Sequence, residues 1–218
     1  MNDGSPRMFS GIVRAYDRMN RLMSLGMDKA WRRLAARDCS GSVLDLCSGT
    51  GDMAISVKAN GLSVIGLDGD MNMLRAMRLK APHIPSVIAD ALCLPFRDGS
   101  FDSVTVAWGM RNLPDRRQAL REIARVLRPG GRLIVLDSVL PENPAIRLLF
   151  RVYARFWIPF LARLLRTDPS AYSYFARSVE GFGPRGNFLK EMGEVGFEGA
   201  RAIALSFGLI ALFKGERP

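Results

Sequence analysis

The run Ser42-Val43-Leu44-Asp45-Leu46-Cys47-Ser48-Gly49-Thr50-Gly51-Asp52 decides the fold of this chain. Its first five residues are rich in Val and Leu and predict a short strand, while the two glycines predict a tight turn. The residues from 52 to 60 suit a helix, and a second strand-like run at 63–67 ends at Asp68. The order strand, glycine turn, helix and strand predicts a βαβ unit, and therefore a parallel sheet.

The same alternation continues along the chain. Helical runs at 71–80 and 116–127 separate strand-like runs at 86–89, 103–108 and 132–136, and two apolar runs at 200–205 and 209–214 are joined through residues 206–208. The first five strands predict a parallel sheet with helices on both faces, and the last two predict a closing antiparallel hairpin. The predicted fold class is therefore α/β, with a seven-stranded, mostly parallel sheet.

Composition excludes several kinds of site. The chain has 218 residues with 31 Lys and Arg, 21 Asp and Glu, one His and three Cys. The single His, His83, lies beside Pro82 and Pro85 in an expected loop, which argues against a His-based metal site and a Ser-His-Asp triad. Three scattered cysteines do not make a disulfide framework. No run is long enough to span a bilayer and no signal peptide is recognised, so a cytoplasmic protein is expected. The net charge of +10 predicts a polyanionic partner, either nucleic acid or an acidic membrane surface.

The glycine turn predicts the ligand. Its glycines let the backbone approach a ligand closely, and Asp68 can accept both hydroxyls of a ribose, a pattern that also fits a dinucleotide site. Asp45 and Asp52 flank the turn and would repel a pyrophosphate while attracting a sulfonium and an ammonium group, which favours S-adenosylmethionine. In the alternative interpretation Asp52 caps a helix, Asp45 closes a strand edge and Cys47 is a packed thiol.

Motifs along the chain are similar to those of known methyltransferases. Asp90-Ala91, Ala107-Trp108-Gly109 and the turn 127–131 complete a pattern over residues 42–137 that resembles the class I S-adenosylmethionine methyltransferases. Further segments resemble the ubiquinone and menaquinone biosynthesis C-methyltransferases: Phe9, Tyr16-Asp17-Arg18-Met19-Asn20, Ser24-Leu25-Gly26, Trp31-Arg32, Gly109-Met110-Arg111-Asn112 and the run 172–179. The resemblance implies a Rossmann-like fold with N-terminal helices and a helical insertion after the fifth strand.

The resemblance also implies C-methylation of a polyprenylated quinol ring with S-adenosyl-L-methionine as donor. Demethylmenaquinol is the favoured acceptor, and a benzoquinol of the ubiquinone pathway or another small or lipid acceptor is the alternative. One domain over 1–218 is expected, with an N-terminal helical cap at 1–40, a donor-binding core at 42–141, an acceptor-side insertion at 142–183 and a closing helix and hairpin at 184–218. The implied donor-binding residues are Tyr16, Asp45, Gly49, Thr50, Gly51, Asp68, Asp90, Ala91 and Ala107, and the implied acceptor-binding residues are Asn112, Phe156, Trp157 and Tyr174.

Arg111, Tyr153 and Tyr172 are the candidate catalytic residues, and no metal is expected. A quinol carbon becomes a nucleophile when a hydroxyl proton is removed. A guanidinium beside the hydroxyl would lower its pKa from about 10 by roughly one to three units, which is the role expected of Arg111. The unranked candidates for accepting the proton are Tyr16, Asp17, Tyr153 and Tyr172. In the alternative interpretation Arg111 and Asn112 only fasten the loop after the fourth strand.

The charge pattern of the insertion predicts contact with a membrane surface. Arg147, Arg151 and Arg155 recur every four residues, with no acidic residue between Glu142 and Asp168. A basic amphipathic helix suits an anionic membrane, so we expect peripheral association with the inner face of the cell membrane; the alternative is a helix that packs on the sheet. The expected partners are a polyprenyl quinol, an anionic membrane surface and, as an open alternative, a second copy in a homodimer.

Three other functions are weighed against this one. A dehydrogenase would use the same glycine turn, but the flanking carboxylates argue against it. A nucleic-acid methyltransferase would explain the positive charge, but residues 108–111 lack the Asn/Asp-Pro-Pro-aromatic run of base-methylating enzymes, so no nucleic acid is expected. An accessory protein of a quinone-synthesising complex would use the fold as a platform.

Overall fold

A computed structural model describes residues 13–157, 160 and 170–218, without the side chains of 13–16 and 170–173. Its helices are α1 (Val13–Met23), α2 (Asp28–Ala36), α3 (Asp52–Lys58), α4 (Met71–Lys80), α5 (Arg116–Val126), α6 (Pro144–Val152), α7 (Ser170–Phe182) and α8 (Arg185–Glu194). Its strands are β1 (Ser42–Leu46), β2 (Ser63–Asp68), β3 (Ser86–Ile88), β4 (Phe101–Ala107), β5 (Leu127–Ser138), β6 (Glu198–Leu205) and β7 (Ile210–Glu216). Short helical turns cover Met110–Asn112, Tyr153–Trp157 and Ser206–Gly208.

The strands form one seven-stranded sheet in the order β3-β2-β1-β4-β5-β7-β6. The first five strands pair in parallel, and β7 runs antiparallel to both β5 and β6. Parallel neighbours need a long connection, which α3, α4 and α5 provide, whereas β6 and β7 need only the turn Ser206–Gly208. The predicted α/β sheet with its closing antiparallel hairpin is therefore confirmed.

Apolar side chains cover both faces of the sheet. On one face Ala35 of α2, Val57 of α3 and Met77 of α4 pack in a single buried cluster. On the other face Ile123 of α5 and Phe188 of α8 join a second cluster with β4 and β5. This two-sided burial explains why the parallel strands read as continuous runs of Val, Leu and Ile.

Strand β5 is longer than the sequence predicts. The turn 127–131 belongs to the strand because its backbone is paired: the Gly130 N–H donates to the Arg217 carbonyl, and the Arg217 N–H donates to Gly131. Gly130 takes a φ of 71°, in the left-handed region that glycine enters without steric cost. Pro129, Gly130 and Gly131 therefore belong to the first part of β5 instead of forming a turn before it.

The carboxyl ends of the central strands lie along one edge of the sheet. Because β1, β2, β4 and β5 are parallel, Leu46, Asp68, Ala107 and Ser138 end at this edge together. Helix α1 is attached here, since the Thr50 hydroxyl after β1 donates to Asp17. Open α/β sheets bind their ligands at this edge, so we look for the site there.

Candidate active site

The glycine turn after β1 has a backbone that only some residues can adopt. Gly49 and Gly51 have φ values of 54° and 86°, and Cys47 also lies in the left-handed region at 55°. A side chain at Gly51 would place its Cβ 2.7 Å from Cγ of Met77, so this glycine is also needed for packing. Gly49 has no atom within 4 Å of where a Cβ would stand, which leaves its backbone open to a ligand.

Asp68 ties the end of β2 to this turn. Its Oδ2 accepts the Gly49 N–H at 2.8 Å, and its Oδ1 accepts the Asp70 N–H at 2.9 Å. Burial raises the pKa of Asp68, and these backbone donors oppose the rise. Each carboxylate oxygen keeps a further lone pair, so the arrangement suits the predicted contact with ribose hydroxyls.

The two carboxylates that flank the turn are not the free charges that the sequence argument expects. Asp45 is fully buried, accepts a hydrogen bond from the Thr105 hydroxyl at 2.9 Å, and has its pKa raised to about 7 by that burial. Asp52 forms an ion pair with Lys80 and lies 3.7 Å from Nη1 of Arg32. One carboxylate is out of a ligand's reach and the other is already neutralised, so they do not flank the turn as free charges. Asp45 instead holds β1 to β4.

Several carboxylates, Asp45 among them, act on the Cys47 side chain at this edge of the sheet. Burial raises the pKa of the Cys47 thiol, and the nearby charges of Asp68, Asp45, Asp137 and Asp90 raise it further. A thiol in this environment stays protonated and unreactive, as the packed-thiol interpretation predicts. The residues at this edge therefore fit a positively charged donor.

The remaining predicted donor residues lie at the ends of β3 and β4. Asp90 is exposed and its Oδ1 accepts the Leu92 N–H at 2.9 Å, Ala91 is buried, and Ala107 is half-buried. The side chain of Tyr16 lies outside the described residues. These positions remain predictions.

Helix α1 is fastened over the glycine turn by a chain of charged side chains. The Thr50 hydroxyl donates to Oδ1 of Asp17 at 2.6 Å, and Oδ2 of Asp17 pairs with Lys80 at 2.7 Å. Lys80 in turn pairs with Asp52, so one lysine joins α1, α3 and α4. Asp17 was a candidate proton acceptor, but both of its oxygens serve this fastening.

A large apolar cavity opens beside the turn that follows β4. It has a volume of about 430 Å³ and takes its walls from α1, α2, α6, α7 and the β6–β7 turn. The polar and charged residues in its wall are Asn20, Ser24, Asp28, Arg32, Arg111, Ser138, Tyr153, Tyr174 and Ser206. Such a space suits an apolar ligand held by a few polar groups.

Arg111 lines this cavity and is held from several sides. Its Nη1 pairs with Oδ1 of fully buried Asp137 at 2.6 Å and donates to the Trp108 carbonyl at 3.0 Å, while its Nε donates to Ser178 at 3.2 Å. The Phe175 ring lies 5.3 Å from the guanidinium carbon. The charge of Arg111 is therefore matched by Asp137, and its effect on an acceptor hydroxyl is smaller than that of an unpaired guanidinium.

Tyr153 is unsuited to the predicted role of proton acceptor. Its hydroxyl donates to the Met23 carbonyl at 2.9 Å, and burial raises its pKa to about 12. A phenol that is protonated at neutral pH and already donating its proton cannot receive another. Tyr153 instead connects the insertion to the end of α1.

The other acceptor-side predictions divide into residues inside and outside the cavity. Tyr174 lines the cavity, whereas Phe156 and Trp157 are exposed and outside its wall. The Asn112 amide donates to the Trp108 carbonyl at 3.0 Å, which matches the interpretation that it fastens the loop. The side chain of Tyr172 lies outside the described residues.

Sequence reasoning missed Asp28 and the role of Arg32. Asp28 and Arg32 form a buried ion pair at 2.5 Å in the cavity wall, and the Arg32 guanidinium lies 4.6 Å above the Trp108 ring. Trp108 is held by a left-handed backbone with a φ of 58°. The sequence signal for this pair was the four-residue spacing of Asp28 and Arg32, which places both side chains on one face of a helix, next to Trp31.

Comparisons with known proteins agree with this geometry. The model of the ubiE/COQ5 methyltransferase family matches residues 4–217. The chain is 43% identical to a demethylmenaquinone methyltransferase of Thermus thermophilus, over 97% of this chain and 100% of the relative. It is 40% identical to the ubiquinone/menaquinone biosynthesis C-methyltransferase UbiE of Syntrophotalea carbinolica, over 96% of this chain and 92% of the relative.

A solved structure shows the same fold. It is an S-adenosylmethionine-dependent methyltransferase of Thermotoga maritima, described as a possible histamine N-methyltransferase, with a TM-score of 0.73 and 18% identity. The similarity covers 98% of this chain and 100% of that one. At this identity the likeness is one of fold.

Proposed function

This chain belongs to the ubiE/COQ5 methyltransferase family, and from that membership we propose that it methylates a ring carbon of a polyprenylated quinol, with demethylmenaquinol as the preferred acceptor. The enzyme is an S-adenosylmethionine-dependent methyltransferase of quinone biosynthesis. The preference for the naphthoquinol follows the name of the relative with 43% identity. A ubiquinone-pathway benzoquinol is the second candidate, because the relative with 40% identity carries both pathways in its name.

The observation that carries the proposal is the position of the apolar cavity. Trp108 and Arg111 line it in the loop after β4, and Gly109 of this loop lies so close to the start of the glycine turn that a Cβ there would be 2.6 Å from Cβ of Cys47. The bound donor supplies a methyl group on a positively charged sulfur. The cavity is wide enough and apolar enough for an aromatic ring with part of a polyprenyl tail.

The chain's own residues would orient the acceptor and exclude water. Asp68 and the backbone at Gly49 hold the donor's ribose side, and the carboxylates near Cys47 favour positive charge there. Arg111, fixed by Asp137, presents a guanidinium edge to an acceptor oxygen. Holding two reactants in register is worth several kcal/mol of the barrier, so a covalent enzyme intermediate is not required.

We expect the purified protein to add one methyl group to demethylmenaquinol when supplied with S-adenosylmethionine. Mass analysis of the lipid fraction gives the product, with a demethylated benzoquinol as the competing acceptor. Replacing Asp68 with alanine should weaken donor binding about 100-fold, because two charge-assisted hydrogen bonds to the ribose are lost, and calorimetry measures this. Methylation of RNA or protein alone would contradict the proposal.

Peripheral membrane association is the second part of the proposed function. In the described ranges no helix is both long and apolar enough to cross a bilayer. Leu25 and Phe207 at the cavity rim are 79% and 86% exposed, and Leu148 and Leu149 on α6 are each 64% exposed. Exposed apolar side chains around the opening of a lipid-sized cavity, next to Arg147 and its neighbours, suit insertion into an anionic surface.

We expect the protein to sediment with vesicles that contain anionic phospholipid. Replacing Leu25 and Phe207 together with serine should weaken vesicle binding about tenfold or more, because their apolar area no longer leaves water on insertion. Leu79→Ser is the matched control, since Leu79 is 88% exposed on α4 and outside the cavity wall. Equal losses in both variants, or no vesicle binding at all, would contradict this part. The homodimer stays a prediction.

A further inference from the structure

Two buried ion pairs lie against the apolar cavity, on two sides of Trp108. Arg111 pairs with Asp137 and contacts the Trp108 carbonyl, whereas Arg32 pairs with Asp28 and lies over the Trp108 ring. Asp137 is fully buried and does not line the cavity, but Asp28 does. Among the described residues of the cavity wall, Asp28 is the one carboxylate.

We propose that Asp28 is the catalytic base that removes the hydroxyl proton of the quinol, and that Arg32 is the residue that positions it. The inference rests on the proposed function, because it assigns a step of that reaction.

The surroundings of Asp28 suit a base. Its Oδ1 accepts a hydrogen bond from the Ser24 hydroxyl at 3.1 Å, and its Oδ2 accepts one from Arg32 at 2.5 Å. Each carboxylate oxygen can accept a second hydrogen bond, so the group still has room for an acceptor hydroxyl. The guanidinium offsets the cost of burying this carboxylate, and the Nη1 atom that donates to Asp28 also lies 3.7 Å from Oδ2 of Asp52.

The other candidates whose side chains the structure describes do not present a proton-accepting group to the cavity. The Tyr153 hydroxyl donates a hydrogen bond to the Met23 carbonyl. Asp17 is bound by Thr50 and Lys80 at the glycine turn, and Asp137 is buried in an ion pair with Arg111. Neither Asp17 nor Asp137 lines the cavity. Among the described residues of the cavity wall, Asp28 therefore supplies the carboxylate that can accept a proton from a ring bound there.

The proton transfer balances as follows. The O–H bond of the acceptor breaks, an O–H bond forms on Asp28, and the electron pair stays on the acceptor oxygen and spreads to the adjacent ring carbon. That carbon then forms a bond to the methyl group while the methyl group's bond to the donor sulfur breaks and its electron pair stays on the sulfur, and the carbon releases its own hydrogen as a proton to water. Asp28 then returns its proton to the oxygen, so that one proton leaves per methyl transferred.

Asp28→Asn tests the proposal, because asparagine keeps the shape and cannot accept a proton. We expect kcat with demethylmenaquinol to fall about 100-fold or more, the usual range for loss of a general base, while calorimetry finds donor affinity unchanged. Glu191→Gln is the matched control: it neutralises an acid in an Arg116–Glu191 ion pair of 2.6 Å outside the cavity wall. This control should keep its activity.

A second acceptor distinguishes a catalytic role of Asp28 from a structural one. A demethylmenaquinol with chlorine on its benzo ring has a more acidic hydroxyl and depends less on a base, so the loss in Asp28→Asn should shrink about tenfold with it. If the single variant does not fold, Asp28→Asn with Arg32→Gln removes both charges and gives the same comparison. An equal loss with both acceptors, or full activity in the variant, would overturn the assignment. Absence of quinol methylation by the unchanged enzyme would instead refute the proposed function.

Discussion

Replacing Arg111 with leucine is expected to lower the free energy of unfolding by about 3–5 kcal/mol and kcat by about 100-fold or more. The loss of stability follows from Asp137, which is fully buried and pairs with Arg111 at 2.6 Å. Without the guanidinium, the donors that the described residues still offer this carboxylate are two backbone groups, the Arg111 N–H at 3.2 Å and the Ser138 N–H at 2.8 Å. Urea unfolding measures the free energy of unfolding, and a quinol methylation assay measures kcat.

The double variant Arg111→Leu with Asp137→Asn separates the two effects. It removes the uncompensated charge, so about 1–3 kcal/mol of stability should return. Activity should stay low, because the cavity still lacks the guanidinium that faces the acceptor oxygen. If activity returned together with stability, Arg111 would only fasten the loop after β4, as the alternative interpretation of the sequence holds.

The sequence predicted the sheet well because its signals are local. Short runs of Val, Leu and Ile, interrupted by Gly and Pro, identify buried parallel strands, and β1 begins and ends where its run of five residues does. The direction of β7 followed from a three-residue connection that is too short for a parallel pair. Residues at strand ends, such as Asp68, could be placed because parallel strands end at one edge.

The charge partners could not be predicted, because they depend on distant parts of the chain. Asp52 is neutralised by Lys80, which is 28 residues away, and Thr50 is bound by Asp17, which is 33 residues away. The sequence argument therefore treated Asp45 and Asp52 as free charges, which the fold does not leave them. Asp68, Asp90 and Asp137 also act on the Cys47 thiol beside Asp45, and they lie on three other strands or at their ends.

The acceptor side was the hardest part, because helical periodicity does not say what a face packs against. Phe156, Trp157 and Tyr174 of the insertion were all candidates for binding the acceptor, yet Phe156 and Trp157 are exposed while Tyr174 lines the cavity. Tyr153 was a candidate base, but its hydroxyl donates a hydrogen bond to the Met23 carbonyl, 130 residues earlier in the chain. Each of these outcomes depends on how α1 and the insertion meet.

Gly109→Ala is expected to destabilise the protein by about 1–3 kcal/mol, the usual cost of overpacking, and to reduce donor affinity. The backbone of Gly109 is ordinary, with a φ of −101°, so the effect comes from packing. A Cβ at this position would lie 2.6 Å from Cβ of Cys47 and 2.9 Å from Cγ1 of Val106. Gly193→Ala in α8 is the control, because no atom lies within 4 Å of its added Cβ.

Adding Cys47→Gly to Gly109→Ala should restore part of the loss. Glycine removes the side chain that the new methyl group meets, and it suits the φ of 55° at position 47, while the contact with Val106 remains. Thermal unfolding of the four proteins in the cycle gives the coupling energy, which we expect to be about 1–2 kcal/mol. Cys47 follows β1 and Gly109 follows β4, so this contact sets the distance between the glycine turn and Trp108. A donor affinity that recovers along with stability would show that this distance determines how the donor is held, whereas additive losses would mean that the two loops adjust independently.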